Sequence, residues 1–140
     1  DGNKWDLSKM VSYAEVMTYV NNAFAEDKVE RLQDAPNDTS KNYKINGYKG
    51  SFAIISSVTN PFCDSCNRLR LTANGQLKNC LFSSGESDLL TTLRAGESIE
   101  PIIQKAVQAK FKVRGGMDTL KKLQEPKLHK NNRSMITIGG

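Results

Sequence analysis

The sequence lacks the features that would place it in a membrane or mark it as a nucleic-acid-binding protein. It has no run of about 18 apolar residues, so no membrane-spanning helix is expected. No signal peptide opens the printed sequence. No block of consecutive Lys and Arg occurs, which weakens a function on nucleic acid or on a membrane surface. The composition, 38% hydrophobic and 25% charged, is ordinary for a soluble protein, and 140 residues suffice for one core.

The sequence also lacks an initial Met. It begins with Asp1 and continues Gly-Asn-Lys-Trp, a composition that resembles the interior of a longer protein. We therefore expect a fragment or a processed product.

Charge is unevenly distributed along the chain. Residues 1–60 carry 7 basic and 8 acidic side chains, whereas residues 61–140 carry 13 basic and 7 acidic ones. A basic half favours an anionic partner, which could be nucleic acid, a nucleotide, a membrane surface or an acidic protein, although a merely soluble surface would look the same.

Cysteine and histidine are scarce, and the cysteines are clustered. The chain has three cysteines, Cys63, Cys66 and Cys80, and a single histidine, His129. An odd number of cysteines argues against a disulfide framework and favours reduced thiols in an intracellular compartment. Their clustering within 18 residues indicates a metal site.

The periodicity of apolar residues predicts a helical start, a β-rich centre and a helical end. The first helix opens with the capping box Ser12-x-x-Glu15, flanked by Val11 and Val16 as a hydrophobic staple. The polar stretch after it, EDKVERLQDAPNDTSKN, is typical of a link between two parts. The remaining predictions are two strands around Gly47 and Gly50, a hairpin in LRLTANGQLKNCLF, a short helix ending at Gly96, a longer helix capped by Ser98, a helix in DTLKKLQE and an extended tail from Ser134 to Gly140.

The hairpin admits two registers around its Asn74-Gly75 turn. A two-residue turn would place Cys80 opposite Leu69. A three-residue loop, with Gly75 left-handed, would place Cys80 opposite Arg68 and Lys78 opposite Arg70. Directly opposed residues share a face of the sheet. We favour the three-residue loop because it brings the third thiol and both arginines to one surface.

Three thiols in the spacing C-x2-C-x13-C are compatible with three kinds of site. A structural zinc needs a fourth ligand, for which His129 is available. An iron–sulfur cluster normally takes four thiolates, and one held by three would keep an iron open for a substrate atom. The third possibility is that the cysteines are buried and carry no metal.

Arg68 and Arg70 are two residues apart and would point the same way from a strand. A pair of guanidiniums suits a phosphate or carboxylate, because Arg binds these groups bidentately and stays charged. Solvent-facing arginines on a half-exposed strand would show the same spacing. The neighbouring thiols favour the anion site.

These residues resemble a known family. The segment FCDSCNRLRLTANGQLKNCLF, the segment DLLTTLRAG and the terminal NRSMITIGG resemble the C-terminal part of the GTP 3′,8-cyclases. These are radical S-adenosylmethionine enzymes that begin molybdenum cofactor biosynthesis. The opening DGNKW and the SYAEV helix also resemble the family, especially its eukaryotic members, and the resemblance covers nearly the whole chain.

The resemblance implies an α/β fold in two parts. Residues 1–40 would be the last strand and helix of a partial TIM-like barrel. Residues 41–140 would be a small α+β domain whose β-hairpin carries a three-cysteine iron–sulfur site and whose tail ends in Gly-Gly.

The resemblance also implies the site. Cys63, Cys66 and Cys80 would ligate a [4Fe–4S] cluster whose open iron meets the guanine of GTP. Arg68 and Arg70 would contact the phosphates of GTP.

The terminal Gly139 and Gly140 would reach into the active site and assist the radical step. Glycines have no side chains to block a narrow channel. A frayed terminus and the tail of a thiocarboxylate sulfur carrier would also end this way. The cysteine motif and the helices after Ser87 argue against the carrier.

S-adenosylmethionine and a second [4Fe–4S] cluster would belong to the full-length enzyme only. The C-x3-C-x2-C motif that cleaves S-adenosylmethionine is absent from these 140 residues. The chain alone is therefore not expected to perform the whole reaction, and the barrel portion is expected as its partner. The resemblance also allows a homodimer, and in a eukaryote it implies the mitochondrial matrix.

The sequence departs from the family at three positions. Asn74 replaces the usual Asp, and either residue suits the turn. Ser134 stands where Pro is common, and Arg114 stands where His is frequent. The competing hypothesis is a non-catalytic zinc-binding interaction module that uses the three cysteines and His129.

Overall fold

A computed structural model describes residues 7–129 and 131–133. The described residues divide into two compact units, with the division between Cys66 and Asn67. All strand pairs within them are antiparallel. Each unit contains one three-stranded sheet, in the order β1-β2-β3 and β4-β5-β6.

The first unit pairs a helix with the first sheet. Helix α1 covers Tyr13–Phe24, and the strands are β1 Val29–Arg31, β2 Ser40–Ile45 and β3 Ser51–Ile55. The predicted capping box is confirmed, because the Ser12 hydroxyl accepts from the Glu15 N–H and the Glu15 carboxylate accepts from the Ser12 N–H. Tyr43 and Ile45 are the buried residues of β2. The Tyr43 ring stacks on the Phe52 ring, with the two ring centroids 5.4 Å apart.

The polar stretch after α1 is not only a link. Val29–Arg31 forms β1 and pairs with Tyr43–Ile45 of β2, so the prediction of a pure connector was wrong there. Glu30 and Arg31 are exposed on this edge strand. The sequence did not predict this strand because these polar residues lack the apolar alternation typical of strands. The strand forms because β2 completes its hydrogen bonds.

The second unit packs its helices on the second sheet. Its strands are β4 Arg70–Leu71, β5 Gln76–Lys78 and β6 Ser87–Asp88. Its helices are α2 Leu90–Arg94, α3 Glu100–Gln108, α4 Leu120–Gln124 and α5 Pro126–His129. The core joins three buried residues, Leu77, Leu89 and Ala106, and three half-buried isoleucines at the start of α3 pack against them: Ile99, Ile102 and Ile103.

Most of the predicted elements of this unit are confirmed, with shifted ends. Helix α2 is followed by Gly96 at φ +76°, the left-handed conformation that ends helices. The predicted Ser98 cap is shifted, because the N-cap residue of α3 is Ile99 and makes no side-chain cap hydrogen bond. The Ser98 hydroxyl still accepts from the Glu100 N–H at 3.3 Å. Strand β6 and helix α5 were not predicted.

The described residues do not include a barrel, so the partial TIM-like barrel stays a prediction. The same holds for the domain boundary near residue 40, which was drawn for that barrel. Within this chain β1 and β2 pair across that position. No helix in the described part of the chain is long and apolar enough to cross a membrane.

Candidate functional site

The hairpin of β4 and β5 has the three-residue loop. Arg70 lies opposite Lys78 and Leu71 opposite Leu77. The Thr72 N–H donates to the Gln76 carbonyl at 2.9 Å, and the Thr72 hydroxyl accepts from the Gln76 N–H at 2.9 Å. The predicted register is therefore confirmed for the arginine strand, with Lys78 across from Arg70.

Gly75 makes this loop possible in two ways. It adopts φ +75°, and a Cβ at this position would lie 2.4 Å from the Leu90 Cβ. Its carbonyl also accepts from the N–H groups of Leu89 and Leu90, at 3.0 and 3.2 Å. The turn is therefore hydrogen-bonded to the start of α2. Only glycine allows both the positive φ and the close approach to Leu90.

Burial alternates along the arginine strand. Arg68, Arg70 and Thr72 are half-buried or buried, whereas Leu69 and Leu71 are exposed. Strand β4 covers only Arg70–Leu71, so the period of two assigns Arg70 to the face of Thr72, and the position of Arg68 on that face stays a prediction. The Arg68 carbonyl accepts from the Lys110 Nζ at 3.0 Å, which ties this strand to the segment after α3.

Lys78 is fully buried and its ammonium is bound internally. Its Nζ donates to the Ser83 carbonyl at 2.6 Å and to the Asn132 Oδ1 at 3.1 Å. It also lies 3.7 Å from a carboxylate oxygen of Glu86. A buried ammonium is costly unless it is paired and hydrogen-bonded, and these three groups meet that requirement.

Arg70 contrasts with its cross-strand neighbour. Arg70 is half-buried as a residue, and its guanidinium forms no hydrogen bond or ion pair with any residue that the structure describes. A guanidinium that has lost part of its water without a protein partner is well suited to an anionic ligand. Arg70 and Lys78 thus carry two cations side by side, of which one is already bound.

The three cysteines are thiols. None of them forms a disulfide, and all are half-buried. Cys63 begins a single 3₁₀ turn, in which the Cys66 N–H donates to the Cys63 carbonyl at 3.2 Å. Cys80 follows β5, and its carbonyl accepts from the Ser83 N–H at 3.3 Å. The soft, unoxidised donor set fits an iron–sulfur cluster.

The convergence of the thiols stays a prediction. Cys63 and Cys66 belong to the first unit and Cys80 to the second. The described strand ladder ends at Arg70 and Lys78, so the position of Cys80 opposite Arg68 is not part of it. Among the described residues, no group of three or more His, Cys, Asp and Glu side chains is arranged to hold a metal.

Two residues whose roles the sequence left open have structural contacts. The His129 Nε2 lies 2.8 Å from the Leu123 carbonyl, to which it donates as the Nε2–H tautomer. Arg114 is buried, and its guanidinium donates to the carbonyls of Met117 and Asp118 at 2.8 and 2.9 Å. Both side chains satisfy carbonyls of the segments after α3.

The second unit also contains a cleft of about 500 Å³ beside α3. Ile102, Ala106 and Phe111 contribute its apolar wall, and Asn79 and Glu86 contribute polar groups. None of the site residues predicted from the sequence is among its lining residues. Gly139 and Gly140, the predicted tail residues, lie outside the described residues.

The comparisons with known proteins agree with the predicted family resemblance. The profile of the family Molybdenum Cofactor Synthesis C matches residues 1–115. The chain is 43% identical over 143 residues to an Arabidopsis thaliana protein named GTP 3′,8-cyclase, mitochondrial, covering 100% of this chain and 34% of that protein.

Two further relatives are a human and a bacterial protein. Human Molybdenum cofactor biosynthesis protein 1 is 40% identical over 141 residues, which cover 99% of this chain and 21% of that protein. GTP 3′,8-cyclase of Rhodopirellula baltica is 37% identical over 106 residues, covering 74% of this chain and 29% of that protein. The chain thus spans about a third or less of the relatives' length. The predicted resemblance is confirmed, and the chain belongs to the Molybdenum Cofactor Synthesis C family.

Proposed function

We propose that this chain is the C-terminal, substrate-binding part of a GTP 3′,8-cyclase in molybdenum cofactor biosynthesis. The reaction would convert GTP to (8S)-3′,8-cyclo-7,8-dihydroguanosine 5′-triphosphate. The family membership and the names of the relatives support the general role. The hairpin supports the more specific proposal that this part binds the nucleotide.

The observation that carries the proposal is the difference between Arg70 and Lys78. Lys78 is neutralised inside the fold, whereas Arg70 on the same face has no partner among the described residues. A triphosphate carries several negative charges and accepts the bidentate bonds of a guanidinium. Arg70, together with Arg68, would therefore hold the phosphates of GTP.

The thiols of Cys63, Cys66 and Cys80 would hold a [4Fe–4S] cluster. When bound by three cysteines, such a cluster supplies an open iron that can accept an atom of guanine. The protein's own contribution would be to orient the nucleotide from its other end, since the arginines follow Cys66 by two and four residues. The half-buried position of the thiols would limit access of water to the cluster.

The remaining components would come from outside these residues or from the tail. S-adenosylmethionine and its own [4Fe–4S] cluster need the C-x3-C-x2-C motif, which these 140 residues do not contain. The chain alone would bind GTP without completing the reaction. Gly139 and Gly140 would assist the radical step. The name of the Arabidopsis relative supports a mitochondrial location, which we propose to be the matrix. We also propose that GTP is the ligand and that the protein assembles as a homodimer.

The test is a metal analysis of protein purified without oxygen. We expect a brown protein with about four irons and matching sulfide per chain, and loss of both in Cys80→Ser. The matched control is Ser57→Ala, which removes a hydroxyl outside the cysteine motif. A colourless protein with one zinc per chain would contradict the proposal and favour the Cys3His module. The hydrogen bond of the His129 Nε2 to Leu123 leaves only Nδ1 of that ring for such a zinc.

A further inference from the structure

Four polar side chains join the arginine hairpin to the last described residues of the chain. Lys78 extends from β5, Glu86 precedes β6, and Asn132 and Arg133 follow α5. We call these four residues the terminal clamp. None of the four is a cysteine of the motif or a proposed contact of GTP, although Lys78 lies within the motif segment, two residues before Cys80.

Glu86 is shared between two cations. Its carboxylate oxygens lie 2.7 and 2.8 Å from the Arg133 Nε, and Oε1 lies 3.7 Å from the Lys78 Nζ. The Glu86 side chain is only 16% exposed and that of Lys78 is not exposed at all. Bonds between ionised groups in such surroundings are short and strong. The carboxylate therefore ties Arg133 to the strand that faces Arg70.

Asn132 connects Lys78 to the segment after β5. Its Oδ1 accepts from the Lys78 Nζ at 3.1 Å, and its Nδ2 lies 3.4 Å from the Phe82 carbonyl and 3.5 Å from the Leu81 carbonyl. The Lys78 Nζ also donates to the Ser83 carbonyl. The Lys78 ammonium thus binds both Asn132 and the segment after β5.

We propose that Lys78 and Glu86 are positioning residues that set the point from which the terminal seven residues of the chain begin. Lys78 lies directly across from Arg70, so the same strand pair holds the proposed phosphate site and the base of the Gly-Gly tail. This inference rests on the proposed function for its catalytic consequence. Its structural part, that Glu86 restrains Arg133, stands independently of GTP.

The structural part can be tested with trypsin, which cleaves after Arg133 only when that side chain leaves Glu86. We expect Glu86→Gln to speed cleavage after Arg133 about 10-fold or more, because a charge-assisted contact is lost. Cleavage after the exposed Lys127 should be unchanged. Glu97→Gln is the matched control, because Glu97 is exposed and its carboxylate has no partner among the described residues. Equal rates after Arg133 in Glu86→Gln and wild type would overturn the inference.

The catalytic part is measured on the native polypeptide that carries this sequence. We expect Glu86→Gln to lower kcat for GTP conversion about 10-fold while the Kd for GTP and the iron content stay at wild-type values. A parallel loss of GTP affinity and iron would overturn a positioning role, and so would an unchanged kcat. If Glu86→Gln does not fold, Asn132→Ala serves as the second variant, because it keeps the ion pairs of Glu86 with Lys78 and Arg133. We expect it to lower kcat in the same way without changing the Kd for GTP or the iron content.

The two proposals fail in different ways. If the wild-type polypeptide neither binds GTP nor forms product, the proposed function is wrong, and the trypsin result still decides whether Glu86 restrains Arg133. If wild type turns over and the variants do so equally well, the inference about the clamp is wrong and the proposed function stands.

Discussion

Arg70 and Lys78 lie directly opposite each other in the hairpin, yet among the residues that the structure describes only Lys78 has partners for its charge. Two cations on neighbouring strands are unfavourable unless each meets an anion or an acceptor. Glu86, Asn132 and a backbone carbonyl serve Lys78. For Arg70 no such partner is found among the described residues, and this difference is the basis of the first two predictions.

Replacing Arg70 should weaken nucleotide binding without disturbing the metal. We expect Arg70→Ala to raise the Kd for GTP about 10- to 100-fold, as is typical when a hydrogen-bonded charge is removed, with iron content unchanged. Arg94→Ala is the matched control, because Arg94 is an exposed arginine at the end of α2. Calorimetry on anaerobic protein measures the Kd, and an iron assay measures the metal content. Loss of iron in Arg70→Ala would indicate a structural role instead.

Replacing Lys78 should destabilise the second unit. Met fills a similar volume but leaves the Ser83 carbonyl and the Asn132 amide oxygen without their donor. We expect Lys78→Met to lower the free energy of unfolding by about 1–3 kcal/mol, measured with urea. Lys121→Met, at an exposed position of α4, should change it by less than about 0.5 kcal/mol. Equal stability of the two variants would mean that the hydrogen bonds and the ion pair of Lys78 make no net contribution to the free energy of unfolding.

Adding one methyl group at Gly75 should disturb the hairpin. The new Cβ would overlap the Leu90 Cβ and the residue would have to keep φ +75°. We expect Gly75→Ala to cost about 1–3 kcal/mol from overpacking alone and to weaken GTP binding through the altered register. Gly50→Ala is the control, since nothing lies within 4 Å of its added Cβ. Wild-type stability of Gly75→Ala would show that α2 moves away without penalty.

The contribution of Asp34 to the stability of the first unit should be lost in acid. The Arg31 guanidinium, together with Asn42, holds the pKa of Asp34 well below its ordinary value of 3.8. A carboxylate whose pKa is lower in the folded state stabilises fully above its unfolded pKa, and this stabilisation is lost as the pH falls toward the folded pKa. The stability difference between wild type and Asp34→Asn should therefore shrink as the pH falls below about 3.8.

The measurement for Asp34 is urea unfolding of both proteins between neutral pH and acid. Asp27→Asn, which removes an exposed carboxylate outside this group, controls for the loss of one charge. A stability difference between wild type and Asp34→Asn that does not change with pH would contradict the assignment of this ion pair.

Local chemistry made much of the fold predictable. The capping box of α1 needs only Ser12 and Glu15, three residues apart, and it formed as expected. The hairpin loop needs only a glycine that tolerates a positive φ, and Gly75 supplied it. By contrast, β1 escaped prediction because its pairing depends on β2, which begins nine residues after β1 ends, and β6 has only two residues, Ser87 and Asp88.

The sequence by itself determined the family, through the spacing of its cysteines and arginines, and it determined the hairpin with Gly75 in its turn. Tertiary structure alone decided which of the two opposed cations would be bound internally. The partners of Lys78 lie in loops up to 54 residues away along the chain. Charge neutralisation in a protein interior depends on which groups burial brings together. No local pattern distinguishes Lys78 from Arg70, and only the folded chain surrounds one of them with acceptors.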